Sequence, residues 1–165
     1  MNDLLDHFRL LARYNRLANE RLYDACAGLD EAGLKADRKG FFKSIHGTLN
    51  HILLGDRIWF ARIAGQAMPS TGLDTILYAE FAALREARRA EDVRIESVMA
   101  GLTVSFLGGS FRYVNNASHS VEDPAALILA HIFNHQTHHR GQVHDMLSQA
   151  GAPTPVLDMH RVIRP

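Results

Sequence analysis

Apolar side chains recur every three or four residues along most of this chain, a spacing typical of amphipathic helices. The pattern predicts four long helices at about residues 3–26, 44–64, 76–100 and 123–150. Ser44 is a typical N-cap residue at the start of the second helix. Asp123-Pro124 suggests an N-cap followed by a proline at the first helical position of the fourth. The sequence therefore predicts an all-α protein built as a four-helix bundle.

The spacing of apolar residues changes between the third and fourth predicted helices. Apolar and polar residues alternate over 103–107 and 110–114, on either side of Gly108-Gly109. This arrangement predicts a small β-hairpin with a two-glycine turn, which lengthens the third connection and permits an order other than up-down-up-down. Residues 152–165 contain three prolines and are expected to be irregular. With no internal repeat, we expect one domain over residues 1–165.

Composition and charge exclude several classes of binding partner. The chain has 165 residues, with 18 Lys and Arg against 18 Asp and Glu, so it lacks the positive potential of nucleic-acid or acidic-membrane binders. Cys26 is the single cysteine, which excludes an intrachain disulfide, and we expect it to be buried. The N-terminus begins with acidic residues and no long apolar run follows, so we expect neither signal peptide nor membrane span, and a cytoplasmic location.

Histidine is unusually frequent, and five of the ten histidines lie between His131 and His144. On a projection of the fourth helix at 100° per residue, His135 and His139 lie within the apolar face. His144 points away and is expected at the surface, while His131 and His138 lie at the edges. Two imidazoles four residues apart project from successive turns and can chelate one ion. The glutamate of the H-E-x-x-H motif is absent, so a zincin protease is not expected.

A third histidine comes from the second helix. His51 lies on an apolar side, and Gly47 and Gly55, one turn away in each direction, leave space around its ring. His46 lies on the other side and is expected at the surface. A lone histidine on an apolar face is more often a hydrogen-bonded core residue, but a shared metal would satisfy several buried imidazoles at once. We therefore predict one metal site formed by His51, His135 and His139.

Two segments, LNHILLGDRIW at 49–59 and FNHQTHHRGQ at 133–142, together resemble the DinB family, a damage-inducible family of metalloenzyme-like proteins. YNRLAN at 14–19 and SIHGT at 44–48 are also similar to the family pattern, so the resemblance covers nearly the whole chain. It implies a four-helix bundle of unusual topology and a divalent metal held by three histidines. Those ligands correspond here to His51, His135 and His139.

Three neutral imidazoles leave coordination positions open, which is typical of catalytic rather than structural metal sites. A metal there would lower the pKa of a bound water or thiol and polarise a substrate oxygen, so water or thiol is the expected reactive group. Imidazole suits zinc, nickel, iron and copper, and the metal's identity stays open. Candidate acceptors for the remaining ring nitrogens are Gln142, Asp56, Asn15, Tyr14 and Asp158.

The resemblance implies a function among thiol-dependent transferases, isomerases and metal-dependent hydrolases. We therefore hypothesise a hydrolase or thiol S-transferase acting on a small electrophile, with a small-molecule substrate or a low-molecular-weight thiol as partner. The alternative is a non-catalytic, metal-binding stress-response protein whose metal stabilises the bundle, and a haem-binding bundle is a third possibility. A fall in melting temperature on metal removal, without turnover, would favour the structural role.

The second helix is apolar on nearly every side. Opposite His51 lie Phe42, Leu49, Leu53 and Phe60. This predicts either deep burial, for example under the hairpin or the tail, or a second interface, and we predict a homodimer through this face. On the fourth helix, Arg140 points away from the histidines and is expected to form a salt bridge or an interface contact.

Overall fold

A computed structural model describes residues 3–66, 71–115 and 117–165 of the protein. Its long helices are α1 (Asp3–Cys26), α3 (Ile45–Ile63), α4 (Phe81–Ala100) and α6 (Ala125–Gln149). Short helices are α2 (Glu31–Lys35), α5 (Val104–Leu107) and α7 (Met159–Ile163). Strands β1 (Ser110–Val114) and β2 (Ser120–Pro124) pair antiparallel. The predicted all-α, four-helix bundle with one small hairpin is confirmed.

Two apolar clusters form the core of the bundle. The Leu22 cluster includes Cys26, Ile45, Leu49, Leu53, Leu84, Val143 and Leu147. The Phe8 cluster includes Phe60, Ile95, Met99, Leu129, Ile132 and Phe133. All four long helices contribute to both clusters, so each helix is buried along most of its length. Cys26 is fully buried, as predicted, and burial raises the pKa of its thiol to about 12.

The order of the two clusters along each helix gives the topology. On α1 and α6 the Phe8 cluster comes first and the Leu22 cluster second, whereas α3 and α4 have the reverse order. The helices therefore run up, down, down, up. This is an order other than up-down-up-down, which the sequence analysis allowed for. The crossover, however, is the connection between the parallel helices α3 and α4 and not the third connection, which contains the hairpin. The third connection joins the antiparallel helices α4 and α6.

The α4 helix begins at Phe81 rather than near Ile76. The fully buried Asn50 on α3 explains the difference. Its side-chain oxygen accepts a hydrogen bond from the Tyr78 N–H at 3.0 Å, and its amide nitrogen donates to the Tyr78 carbonyl at 3.3 Å. The backbone of Tyr78 is thus bonded to another helix, which holds this segment outside α4.

The hairpin lies further along the chain than predicted. Residues expected to form its first strand form α5, which is capped by the Thr103 side chain, and Gly108 ends that helix. The turn follows Asn115, whose side-chain oxygen accepts from the N–H groups of Ala117 and His119. An Asx turn of this kind supplies the reversal that the sequence analysis assigned to the glycine pair.

Both ends of α6 and of α3 lie close to their predicted positions. The Ser44 oxygen accepts from the Gly47 N–H at 3.0 Å, which confirms Ser44 as the N-cap of α3. At α6 the N-cap is Pro124, and the Asp123 carboxylate instead accepts from the Tyr113 hydroxyl. The tail is not wholly irregular, because α7 forms there and buries Val162 against α1.

The proposed dimer face of α3 is buried within its own chain. Leu49 and Leu53 pack in the Leu22 cluster, and Phe60 packs against Ile95 of α4 in the Phe8 cluster. Phe42 is half-buried in the loop before α3. The prediction that this face forms an intermolecular interface is therefore wrong. The long helices that pack on α3 are chiefly α6 and α4. Among the described residues, no helix has the length and apolarity needed to cross a membrane.

Candidate metal centre

The antiparallel packing of α3 on α6 brings together the three predicted histidines. One ring nitrogen from each of His51, His135 and His139 lies within 4.8 Å of the others. The Nε2 atoms of His51 and His135 are 3.1 Å apart, and the His135 and His139 ring centroids are 4.3 Å apart. The geometry therefore forms a three-histidine group that could hold a metal ion.

Glycines shape this cluster, though not in the way the sequence suggested. A Cβ atom at Gly55 would lie 3.0 Å from Cε1 of His135, so this glycine makes room for the ring from α6 rather than for His51. A Cβ atom at Gly47 would lie 2.2 Å from the carbonyl oxygen of Phe42. Gly47 thus permits the close approach of the loop that precedes α3.

Hydrogen bonds at Nδ1 orient two of the rings. His51 Nδ1 donates to the Leu73 carbonyl at 2.9 Å, and His139 Nδ1 donates to Oε1 of Gln142 at 2.7 Å. Because these oxygens can only accept, the proton lies on Nδ1 and the Nε2 lone pair remains available for a metal. Gln142 was among the predicted acceptors. Leu73 was missed, because a backbone carbonyl has no sequence signature.

The other predicted acceptors do not serve the cluster. Within the described residues, no hydrogen bond joins the three histidines to Asp56, Asn15, Tyr14 or Asp158. Asp56 and Asn15 belong to a separate buried network, and the Tyr14 hydroxyl donates to the Leu157 carbonyl at 2.8 Å. Asp56 lies on a different side of α3 from His51. The other three lie on elements that carry none of the three histidines, Tyr14 and Asn15 on α1 and Asp158 just before α7.

Burial and mutual repulsion keep the imidazoles neutral. Burial lowers the pKa of His51. It lowers the pKa of His135 to about 3, with a further contribution from the neighbouring His139 and His51. The pKa of His139 falls to about 4, again chiefly through burial, although the bond to Gln142 opposes the shift. Neutral imidazole is the form that ligates metals, so these values match the chemistry of a metal site.

Phe42 covers one side of the cluster and was not predicted to do so. Its ring stacks on His51 with centroids 3.7 Å apart and planes inclined by 17°, and it meets His139 edge-on at 5.6 Å. The stacking restrains the plane of the His51 ring. Helical projection could not find this contact, because Phe42 lies in the loop before α3.

Comparisons with known proteins fit this geometry. The model of the DinB family matches residues 1–165. The chain belongs to the DinB family. It is 27% identical over 157 residues to Protein DinB of Bacillus subtilis strain 168, covering 87% of this chain and 88% of that protein. It also resembles the crystal structure of a DinB-like protein from Bacillus cereus ATCC 10987, with a TM-score of 0.65 and 18% identity, over 84% and 89% of the two chains.

In this DinB-family protein a cavity of about 410 Å³ opens onto His51 and His135. Its other described lining residues are Gly55, Ile58, Trp59, Arg62, Leu73, Tyr113, Asn115, Ala117 and His131. His131 lines the cavity and meets Trp59 edge-on at 5.3 Å. His138 is exposed and accepts a hydrogen bond from Gln142. The cavity gives a small molecule access to the histidines.

Three further predictions about this DinB chain are corrected. His46 is buried, because its Nδ1 faces the Asn50 amide on the next turn and the ring lies inside the chain. His144 is half-buried, and its Nε2 donates to the Pro155 carbonyl at 3.2 Å. Arg140 is buried rather than at an interface, and its guanidinium donates to amide and hydroxyl oxygens instead of pairing directly with a carboxylate.

A second polar cluster lies beside the histidines and is here called the polar ring. It consists of Asn15, Asn19, Asp56, Arg88, Asp92, Gln136 and Arg140, all of them buried. Arg88 pairs with both Asp56 and Asp92. The Asn15 and Asn19 amides donate to Asp92 at 3.2 and 3.0 Å, and both side-chain oxygens accept from Arg140.

The network closes through α6. Arg140 also donates to Gln136 at 3.3 Å, and the Gln136 amide donates to Asp56. The polar ring therefore joins all four long helices and contains two arginines and two aspartates. Two of its residues are next to the clustered histidines in sequence, since Gln136 follows His135 and Arg140 follows His139.

Proposed function

We propose that this DinB-family protein binds one divalent metal ion through His51, His135 and His139 and acts as a metal-dependent enzyme. The proposed reaction is hydrolysis, or thiol S-transfer to a small electrophile. One observation carries the proposal: three imidazoles converge, and two of them, His51 and His135, line a cavity of about 410 Å³. A structural metal site is normally closed by four protein ligands, whereas a catalytic one keeps a position open.

The donor set fits such an ion. At Zn–N distances of about 2.0–2.1 Å, two nitrogens of a tetrahedral site are roughly 3.3 Å apart. The observed separation between Nε2 of His51 and Nε2 of His135 is 3.1 Å. Three imidazoles suit zinc, nickel, iron or copper. A bound divalent ion supplies a Lewis acid that polarises a substrate oxygen and lowers the pKa of a water or thiol.

The protein's own residues would prepare the ligands and the access route. Leu73 and Gln142 hold the Nδ1 protons of His51 and His139, so that Nε2 of each ring is presented to the ion. Phe42 covers the side of His51 on which it stacks. A substrate would therefore approach from the side of the cavity, which Trp59 and Leu73 help to line.

The second candidate is a non-catalytic, metal-binding stress-response protein. The observation that favours it is the placement of the ligands on two helices, His51 on α3 and the other two on α6. An ion held this way would cross-link the two helices and stabilise the bundle. The enzyme is preferred because a cross-link alone does not require a cavity that reaches the ligands.

Metal binding is the first test. Calorimetry with zinc should give one equivalent bound by the wild type and an affinity at least about 100-fold weaker for His135→Ala, because only two ligands remain. His144→Ala is the matched control, since His144 lies on the same helix outside the cluster, and should bind normally. Equal affinity of His135→Ala and the wild type would falsify the site.

Turnover is the second test, and it separates the two candidates. Wild type and His135→Ala are assayed with p-nitrophenyl acetate, and with a chlorodinitrobenzene plus cysteine or glutathione. Each assay is run with zinc, with nickel and after chelation. Turnover that requires both the metal and His135 supports the enzyme. A melting temperature that falls on chelation, with no turnover under any condition, supports the structural metal instead.

A further inference from the structure

The segment that joins α2 to α3 concentrates positive charge on a chain whose net charge is zero. All three lysines of the sequence lie in residues 35–43, here called the basic segment, together with Arg38. Asp37 is the single acidic residue in this stretch. The neutral average over the whole chain therefore conceals a local excess of cations, and the segment contains Phe42, which stacks on His51.

Two lysines of the basic segment have no acidic partner within the described residues. Lys35 forms an ion pair with Glu31 at 2.5 Å, but neither Lys39 nor Lys43 forms one in the described part of the chain. Both of these lysines are exposed. The side-chain oxygen of Asp37 accepts a hydrogen bond from the backbone N–H of Lys39 at 2.7 Å, not from its ammonium group. The ammonium groups of Lys39 and Lys43 are therefore available to an anionic partner.

Phe41 lies between these two lysines and faces away from the bundle. Its side chain is 81% exposed, the largest exposed fraction among the large apolar side chains that the structure describes. It meets the ring of Phe42 edge-on, with centroids 4.8 Å apart, while Phe42 itself turns inward onto His51. One ring of this pair thus covers the histidine cluster, and the other leaves its apolar surface in contact with water.

The backbone of the basic segment is held in a defined turn. The Lys43 N–H donates to the Gly40 carbonyl at 2.9 Å, and Gly40 packs so closely on α6 that a Cβ atom there would lie 2.6 Å from Cε of Met146. Lys39 and Lys43 have φ angles of 59° and 66°, left-handed values that are unfavourable for residues other than glycine. The turn therefore holds Phe41 outward in spite of both this backbone strain and the exposure of its ring.

A projecting aromatic ring between two ammonium groups fits the surface of an anionic bilayer. Phenylalanine is among the side chains that enter the boundary between lipid headgroups and acyl chains, and lysines beside it are attracted to anionic lipids. Single-stranded nucleic acid is also a polyanion, but its sites combine a groove that follows the backbone with rings that stack successive bases. The basic segment offers one outward ring on a turn, which favours the membrane surface.

We infer that the basic segment docks this protein reversibly on anionic membrane surfaces. Phe41 enters the headgroup layer, and Lys39 and Lys43 contact the lipid phosphates. The contact is peripheral and needs no helix that crosses the bilayer. Because Phe42 adjoins Phe41 and covers His51, docking would bring the histidine cluster close to the membrane surface. The inference goes beyond the proposed function and does not depend on a bound metal.

Vesicle sedimentation tests the inference. Metal-free protein, kept in chelator so that no ion can bridge it to phosphates, is mixed with vesicles of phosphatidylcholine alone or of phosphatidylcholine and phosphatidylglycerol in equal parts. Binding to the anionic vesicles should be at least about 10-fold stronger, because each lysine near an anionic surface adds a favourable electrostatic contribution. It should weaken as salt is raised, since salt screens that attraction.

Substitutions locate the contact. Lys39→Gln combined with Lys43→Gln should weaken binding to the anionic vesicles by at least about 10-fold. The matched control combines Arg89→Gln with Arg112→Gln, which removes two exposed cations from other surfaces and gives the same net charge. This control should bind like the wild type, and thermal melts check that every variant is folded.

The aromatic contact is tested separately. Phe41→Ser should weaken binding to the anionic vesicles by about 10-fold and leave its salt dependence in place, because the lysines remain. Val104→Ser is the matched control, since Val104 is also exposed, at 57%, but lies in α5 outside the basic segment. It should bind like the wild type.

Four outcomes overturn the inference. They are equal binding to the two kinds of vesicle, unchanged binding in the double lysine variant, unchanged binding in Phe41→Ser, and full competition by soluble glycerol phosphate. The last result would indicate a site for small anions instead of a surface. Binding of an oligothymidine strand without vesicle binding, lost in the same variants, would assign the segment to nucleic acid and also overturn it. Failure of zinc binding would leave the vesicle result intact, because the protein is metal-free throughout.

Discussion

Two polar clusters occupy the middle of this bundle, and they differ in whether they contain groups of opposite charge. The polar ring holds two arginines and two aspartates, and each charged group has partners of the opposite sign or amide groups within the ring. The three histidines all carry an imidazole, and neighbouring histidines add to the burial that lowers the pKa values of His135 and His139. His51 and His135 face a cavity. The polar ring balances charges of opposite sign, although Asp56 Oδ1 and Arg88 Nε have no hydrogen-bond partner among the described residues. The histidine cluster instead has ring nitrogens of one kind close to one point.

The comparison shows that residues adjacent in sequence can belong to different clusters. His135 and Gln136 are adjacent on α6, as are His139 and Arg140, yet one member of each pair enters the cluster and the other enters the polar ring. Adjacent helical residues are about 100° apart, so they face different neighbours. The polar ring thereby joins all four long helices beside the three histidines without using any of them.

Breaking the polar ring should have the largest effect. Arg88→Met removes the cation between Asp56 and Asp92 and leaves two buried carboxylates without it, so we expect a loss of about 3–5 kcal/mol in the free energy of unfolding. Urea denaturation measures this. Arg89→Met is the control, because Arg89 is exposed and its ion pair in the described part of the chain is with exposed Glu86. It should change stability by less than about 0.5 kcal/mol. Equal losses in the two variants would contradict the ring's role.

The histidine cluster should respond to metal instead. Zinc at about 100 times its dissociation constant should raise the free energy of unfolding of the wild type by about 2.7 kcal/mol. In His139→Ala this gain should disappear, while the metal-free variant should differ from the metal-free wild type by much less than Arg88→Met does. Urea denaturation with zinc and with chelator gives both numbers. A zinc gain of the same size in His139→Ala would remove that residue from the site.

The smallest expected effect concerns the space that Gly55 leaves beside His135. A pair of Gly→Ala substitutions distinguishes this packing effect from the general effect of alanine on helix stability. Gly55→Ala places a methyl group 3.0 Å from His135 Cε1, so the ring must shift and zinc affinity should fall by about 10-fold, on the order of the effect of disturbing a ligand's supporting contacts. Gly141→Ala is the matched control, since no atom lies within 4 Å of its added Cβ. It should bind zinc normally and gain about 0.5–1 kcal/mol in stability. Unchanged affinity in Gly55→Ala would show that the space at Gly55 is not needed.

Local pattern predicted the long helices well, because an apolar period sustained over 20 residues or more is hard to produce otherwise. It failed where a distant side chain intervened. Asn50 bonds the backbone of Tyr78 and so holds the segment before α4 out of the helix, and Asn115 forms the turn that the glycine pair was expected to form. In both cases a single polar side chain decides the backbone conformation. The spacing of apolar residues contains no information about such a contact.

The apolar side of α3 and the charged residues of α4 show that the sequence pattern also fails to predict which residues are buried. Leu49 and Leu53 looked available for a partner copy but are covered by the chain's own helices. Charged residues such as Arg88 and Asp92 are normally expected at the surface. Here both are buried, and they form an ion pair with each other inside the bundle. Burial of this kind depends on which helices become neighbours.

The sequence by itself determined the helices, the bundle class and the direction in which His51, His135 and His139 point, because helical periodicity places each residue on a definite face. It also contained the family pattern that the whole-chain match confirms. Only the tertiary structure decided which face meets which. The up-down-down-up order, the Leu73 carbonyl on His51, the Phe42 stack and the closed polar ring all join residues distant in the chain. Such contacts arise from packing between elements, which no local period along the sequence encodes.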